Sequence, residues 1–341
     1  MTNSSLINPS AYGIATEGQL GLVNGDAFRQ FQTANRLQNF TINGLMEISQ
    51  RGDFTVSAAA THGAYYLDRI KTEVNTVTAN RIVNTTSQPP GVYGSKSFRL
   101  TASSSATGYL GITQIVENPV VLIGKTVTFS AWVKSNKTQN VRLASFWLPR
   151  TPSFLAQSSE HSGSGNWEKL TLTLTIPADV TVPGNLHVYV IAWDEGTVPV
   201  TSGEYIETTG WMLNIGSEPA PFARAGGTIG GELALCQRYC AKIAVAQVFP
   251  GFCSNTTIVQ CTFTTPVPLR VNPSIIIATT ITWTAYTGTS FFSSTGVPSL
   301  SFGLGNQFRF GIPSFTGLPT STIANVFRAS GDTDLLLDAE L

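Results

Sequence analysis

Charge is scarce in this 341-residue chain: only 12% of its residues are Asp, Glu, Lys or Arg, about half the usual share of a soluble globular protein. Twenty basic residues against twenty acidic ones leave no net charge. No field therefore draws the protein toward a phosphate backbone or an anionic membrane, and nucleic acid is not an expected partner. Long apolar runs are missing too. The longest, around Ile275, Ile276, Ile277 and Ala278, falls far short of the roughly 18 residues that span a bilayer, so no membrane insertion is expected. The opening Met1-Thr2-Asn3-Ser4-Ser5 has neither the basic nor the apolar region of a secretory signal, and synthesis in a cytosol is the expectation. Four cysteines do not make a disulfide framework at this length, and free thiols are expected.

What the chain does have is hydroxyl groups, with 43 Thr and 31 Ser beside 31 Gly and 18 Pro. Thr, being β-branched, suits strands. Val127, Phe129, Ala131 and Val133 alternate with Thr128, Ser130, Trp132 and Lys134, the period of a half-buried strand. Leu170, Leu172, Leu174 and Ile176 alternate with Lys169, Thr171, Thr173 and Thr175, and Pro177 ends that run. A third run, Leu186 to Trp193, is largely apolar on both faces and reads as a central strand covered on each side. Gly, Pro and Ser clusters such as 158–165 punctuate the chain between these runs. No sustained 3.6-residue stripe appears, which disfavours α/β crossovers. The fold class expected is all-β.

At about 150 residues per domain, the length allows two domains and a short appendage. Residues 1–38 read as an arm, 39–225 as a large β-sandwich, 226–231 as a Gly-rich linker and 232–341 as a smaller β-sandwich that opens with a helical turn over Glu232 to Cys240.

Catalytic signatures are weak. A metal centre could be sought at Cys236, Cys240, Cys253 and Cys261, but the second pair is widely spaced and Cys261 alternates with Val259 and Phe263 as a core residue does, so buried thiols are expected instead of zinc. Only three histidines are present, His62, His161 and His187, and no nucleophile elbow precedes a helix. Asp194, Glu195, Glu204 and Glu207 could supply paired carboxylates for glycoside cleavage, yet acids beside loops are ordinarily solvated, and that is how they read. No enzyme is expected. Binding is the better prospect. Sugar rings stack on aromatic faces while neighbouring polar groups bond their hydroxyls, which makes Trp147, Trp193, Asp194, Trp283 and Tyr286 the candidate contacts.

The order of short motifs adds a resemblance. Asn43 to Gly52 (NGLMEISQRG) followed by Tyr66-Leu67-Asp68-Arg69, then Val127 to Lys134, Asn166 to Lys169 and Glu218 to Phe222, resemble the jelly-roll domain of bacteriophage tail-fibre and other virion proteins. Leu235-Cys236-Gln237-Arg238-Tyr239, Pro266 to Pro273 and the closing Asp338-Ala339-Glu340-Leu341 are similar to the C-terminal module of the same proteins. The resemblance spans about 300 residues of this chain. It also absorbs Arg51-Gly52-Asp53 into the opening motif, which removes it as an adhesion signal.

The resemblance implies a homotrimer in the virion, docked to other virion proteins through residues 1–38, with a jelly roll that binds host surface polysaccharide. The leading expectation is a tail fibre or spike without enzymatic activity. The alternative is a capsid decoration or head-fibre protein that clamps neighbouring subunits and binds no sugar, and a polysaccharide-degrading tailspike comes third. No cofactor is expected. A stiffening Ca²⁺, found in similar carbohydrate modules, has no compact Asp-rich loop to hold it here.

Overall fold

The computed structural model describes residues 38–92, 96–150, 153–193, 199–244, 247–277, 281–304, 306–328 and 334–340. The arm expected over 1–38 lies outside the described residues except for Gln38. The fold is all-β, built from antiparallel sheets with one short α-helix among the described residues.

Twelve strands form the first module: β1 (Ala58–Ala59), β2 (Tyr65–Leu67), β3 (Ile70–Asn75), β4 (Ala79–Asn84), β5 (Ser97–Ala102), β6 (Tyr109–Ile115), β7 (Thr126–Ser135), β8 (Val141–Leu148), β9 (Phe154–Gln157), β10 (Trp167–Thr175), β11 (Asn185–Trp193) and β12 (Tyr205–Ile215). They divide into two six-stranded sheets, ordered β1-β4-β5-β12-β7-β10 and β2-β3-β6-β11-β8-β9. Alternation sets which face meets the partner sheet. In β7, Val127, Phe129, Ala131 and Val133 point inward and are fully buried; across the core, Leu186, Val188, Val190 and Ala192 of β11 do the same. Full burial of each larger side chain among these contributes roughly 1.5–3 kcal/mol. The threonines occupy the opposite face. Thr128 meets Thr173 and Thr126 meets Thr175 across the β7–β10 ladder, each hydroxyl pair at 3.0 Å, so the hydroxyl-rich composition becomes cross-strand pairing on an outer surface.

The second module begins with α1 (Ile229–Gln237) and continues through β13 (Cys240–Ile243), β14 (Phe249–Cys253), β15 (Val259–Thr264), β16 (Ser274–Ile277), β17 (Trp283–Tyr286), β18 (Phe291–Ser294), β19 (Ser299–Leu304), β20 (Gln307–Ile312), β21 (Ile323–Arg328) and β22 (Leu335–Asp338). A three-stranded sheet, β13-β22-β16, faces a seven-stranded one, β18-β17-β21-β14-β15-β20-β19, over a separate core in which Phe249, Trp283 and Phe310 are fully buried. The glycine stretch 226–231 is more than a linker. Thr228 caps α1 by accepting from Gly231 N at 3.1 Å, and Glu232 accepts from Gly226 N at 2.9 Å and from Asn43 N. The first bond satisfies a helix donor that would otherwise be orphaned, and the Glu232 bonds tie the helix start to the preceding glycine turn and to the Asn43 loop.

Candidate functional site

Two constellations of polar and aromatic groups are built by the fold, and the first is a closed seam. Asn43 adopts a left-handed backbone (φ 61°) and ties its loop together: its Oδ1 accepts from Glu47 N and Ile48 N, and its Nδ2 donates to Ile48 O and Asp68 O at 2.8 and 2.9 Å. Gly44 follows because a Cβ there would stand 2.4 Å from the Trp211 carbonyl. The loop delivers Gln50 and Arg51 to the second module. Gln50 donates to Asp68 Oδ2 at 2.6 Å and to Cys240 O, and accepts from Lys242 N at 3.3 Å. Arg51 pairs with Asp338 at 3.0 Å and with Glu340 and Asp68 at 3.6 Å. Arg69, fully buried, pairs with Glu340 and lies 3.6 Å over the Tyr239 ring.

Burial raises the Asp68 carboxyl and the Tyr239 hydroxyl above their ordinary ranges, and the neighbouring Arg51 and Arg69 charges counter the shift in each case. The seam thus joins Gln50-Arg51, Asp68-Arg69, Arg238-Tyr239 and Asp338–Glu340, four motifs that the sequence presents far apart. Its charged groups pair with one another, and its chemistry is cohesion.

The second constellation is the outer face of the sheet β2-β3-β6-β11-β8-β9. Since Leu186, Val188, Val190 and Ala192 face the core, His187, Tyr189, Ile191 and Trp193 face away from it. The register sets beside them Lys71 and Glu73 of β3, Tyr109, Gly111 and Thr113 of β6, and Arg142 and Phe146 of β8. The rings form a row. His187 stacks on Tyr189 with centroids 6.1 Å apart, Phe146 meets Tyr189 edge-on at 5.2 Å, and Phe154 continues the row at 5.5 Å. Tyr189, Phe146, Phe154 and Trp193 are each half-buried, so their rings are anchored and still present surface.

Beside the row, Glu73 bonds Lys71 Nζ at 2.8 Å and lies 3.5 Å from His62 Nδ1. Gly111 leaves a notch between them, since a Cβ there would stand 3.2 Å from Glu73 Cβ and 3.5 Å from Tyr189 Cδ1. His187 is pushed down to about 4 by burial first and by the Lys71 charge second, with Glu73 countering. Burial and the Glu73 charge raise the Tyr189 hydroxyl. Near neutrality the row therefore offers a neutral imidazole and a protonated phenol, both able to hydrogen-bond.

Of the sugar contacts expected from sequence that fall among the described residues, only Trp193 stands on this face, directly opposite Tyr109. Trp147 is fully buried in the first core, with Nε1 donating to Thr181 O at 3.1 Å, and Trp283 is fully buried against Phe249 and Phe310 in the second. Both are structural, because strand alternation turns them inward, where no ligand reaches. Tyr286 is half-buried on the second module, stacked on Phe291 at 4.7 Å, far in the chain from the row. Asp194 and Glu195 lie outside the described residues. Glu207, expected to be solvated, is fully buried, with Arg99 at 2.8 Å and Ser97 and Asn84 donating to it; Glu204 pairs with Lys137 at 3.2 Å. Sequence reasoning missed Tyr189, His187, Glu73 and Phe146. The signal was present in the third run, whose aromatic and imidazole residues all fall at odd positions. All four cysteines are buried and free, and among the described residues no group of three His, Cys, Asp or Glu is placed to hold a metal ion.

No family model matches the chain, and no curated protein sequence matches it. Solved structures do resemble it. The enzymatically active domain of bacteriophage CBA120 tailspike protein 4 is 12% identical with a TM-score of 0.31, over 52% of this chain and only 21% of that one. A CBM4 structure is 13% identical with a TM-score of 0.28, over 51% of this chain and 98% of that one. A cyclase from Fischerella sp. TAU is 13% identical with a TM-score of 0.36, over 53% and 98% of the two chains.

Proposed function

We propose that this chain is a non-enzymatic virion protein, a tail fibre or spike that attaches to a host surface glycan through the outer face of its first module. The observation that carries the binding reading is the row of half-buried Phe154, Phe146 and Tyr189, which ends at the buried His187 beside Glu73 and Lys71. Aromatic faces cover the C–H surface of a sugar ring, and a carboxylate and an ammonium at the edge of the row accept from and donate to its hydroxyls. The side chains reach this arrangement at low entropic cost, because packing and strand register already hold them. The virion assignment rests on the order of the motifs along the chain.

Self-association would cover Ile323, Val297 and Phe291 of the second module, which are exposed at 77, 71 and 68%. Three copies would present three rows, and linked weak sites gain avidity without any new contact.

The test is a glycan array probed with the wild-type protein and with Tyr189→Ala. Retention of a host polysaccharide by the wild type, reduced about tenfold or more by the substitution, supports the reading. Equal retention by both proteins overturns the placement of the site on this row, and retention by neither overturns glycan attachment itself and leaves a capsid decoration role in which the fold clamps neighbours and binds no sugar.

A further inference from the structure

The outer face of the sheet β1-β4-β5-β12-β7-β10 carries a group of side chains on strands that take no part in the aromatic row. On β7, burial of Val127, Phe129, Ala131 and Val133 turns Trp132 and Lys134 outward, and on β10 burial of Leu170 and Leu172 turns Trp167 and Lys169 to the same side. Register sets Trp167 directly opposite Lys134 and Lys169 directly opposite Trp132. The result is a two-by-two checkerboard of indoles and ammonium groups. Both indoles and Lys134 are half-buried, and Lys169 is exposed. The Lys134 ammonium lies 5.9 Å from the centre of the Trp167 ring, within reach of its π face. Gly210, where a Cβ would stand 3.0 Å from Trp132 Cδ1, lets the other indole lie close against β12.

Each of the four side chains offers hydrogen-bond donors and no acceptor. Among the described residues, none of them has a hydrogen-bond or ion-pair partner. The carboxylate that the register sets opposite Lys134, Glu207, is fully buried and takes its bonds from Arg99, Ser97 and Asn84, so its charge is already met. At the far end of the ladder, Thr128 and Thr173 donate to the carbonyls of Gly216 and Ser217, and that turn closes the face there.

We propose that this checkerboard binds an acidic polysaccharide bearing hexuronate carboxylates. Donors without acceptors match a ligand rich in acceptors, and two ammonium groups at diagonal positions match an anion. An indole face takes the C–H side of a pyranose ring, and the ammonium beside it forms a charge-assisted hydrogen bond to a carboxylate on the same or the next sugar. A neutral glycan would make no use of the two charges. Nucleic acid, the other polyanion that stacks on aromatic rings, is held in grooves that track its backbone with many cations, and the checkerboard offers two. The site lies on the opposite sheet from the aromatic row and does not depend on that row binding a glycan.

Hexagalacturonate binding to the full chain by titration calorimetry is the measurement, with maltohexaose and hexathymidylate as comparison probes. Wild-type protein should bind hexagalacturonate at least about tenfold more tightly than either, and raising the salt concentration should narrow the margin over maltohexaose. Lys134→Gln combined with Lys169→Gln should erase that margin, Trp167→Ala should weaken binding about tenfold, and Tyr189→Ala should leave it unchanged. Thermal unfolding of each variant checks that the fold is retained. Equal affinity for maltohexaose, a margin that survives loss of both lysines in the folded protein, or absence of hexagalacturonate binding by the wild type each overturns the proposal. Equal or tighter binding of hexathymidylate overturns it in favour of nucleic acid, and loss of hexagalacturonate binding in Tyr189→Ala overturns it by moving the ligand to the other sheet.

Discussion

The seam between the modules and the outer face of the first one use the same chemistry to opposite ends. Each sets cations and carboxylates beside aromatic rings: Arg69 over Tyr239 with Glu340 in the seam, and Lys71 with Glu73 near Tyr189 on the face. In the seam a distant segment closes over the group. Arg69 and Glu340 are 271 residues apart in sequence, and the side chains of Arg69 and Glu340 are only 0 and 5% exposed. On the face the Tyr189, Phe146 and Phe154 rings stop at half-buried, although His187 and Glu73 beside them are buried. Closure therefore separates a group that holds the molecule together from one that leaves aromatic surface open to solvent.

The sharpest way to break this contrast is to remove one partner from the seam. Arg69→Met leaves the buried Glu340 with only the longer contact to Arg51 at 3.6 Å and uncovers Tyr239. We expect a loss of about 3–5 kcal/mol in urea unfolding. Adding Glu340→Gln should recover part of it, since members of one network are not additive. An Arg69→Met protein as stable as the wild type would show that the seam contributes nothing to cohesion.

The face answers to pH. His187 titrates at about 4 in the folded protein, below its ordinary 6.5. Between those values the unfolded chain binds the extra proton, so stability is fully present above about pH 6.5 and is lost as pH falls toward 4. The loss from this one group should reach roughly 3 kcal/mol, and His187→Gln should flatten the profile over that window. Lys71 and Glu73 are the charges the imidazole faces, so the slope should shift when either is neutralised. An unchanged profile in His187→Gln would mean that the imidazole is not held neutral by burial.

The smallest effect belongs at the edge of the seam. Thr228→Ala removes the cap accepting from Gly231 N and should cost about 1 kcal/mol, because Glu232 still bonds Gly226 N and Asn43 N. A loss as large as that of Arg69→Met would make the helix N-terminus, and not the ion pairs, the element on which the junction depends.

Much of the first module is legible in the order of its residues. The alternation in β7, β10 and β11 is local, with period two fixed by strand geometry, and each run forms a strand; β7 and β10 turn the expected residues inward, whereas β11, expected to be covered on both sides, packs only Leu186, Val188, Val190 and Ala192 into the core and leaves Tyr189 and Trp193 half-buried on the outer face. The second module is less legible. Its strands are mostly four to six residues long, too short for a periodic signal to stand clear of chance. The candidate site is legible only at Trp193. An aromatic residue in a strand points inward or outward by parity, and parity cannot be assigned until the opposite sheet is known. That is why Trp147 and Trp283 read as ligand contacts and lie in cores.

The motif order is visible in the sequence, but its purpose is not. Along the chain, Gln50-Arg51, Asp68-Arg69, Arg238-Tyr239 and Asp338–Glu340 are separate short signals; in the folded protein Gln50, Arg51, Asp68, Arg69, Tyr239, Asp338 and Glu340 form one network, while the Arg238 side chain pairs with Glu117 outside it.

Residue type and local period were enough to set the strand-rich class, the polar and uncharged character of the outer faces and the burial of the thiols. The folded arrangement decided which aromatic rings remain at the surface, which charges are enclosed, and that a glycine stretch would start a capped helix. Those outcomes depend on contacts between residues hundreds of positions apart, and no local pattern encodes which segment will close over which.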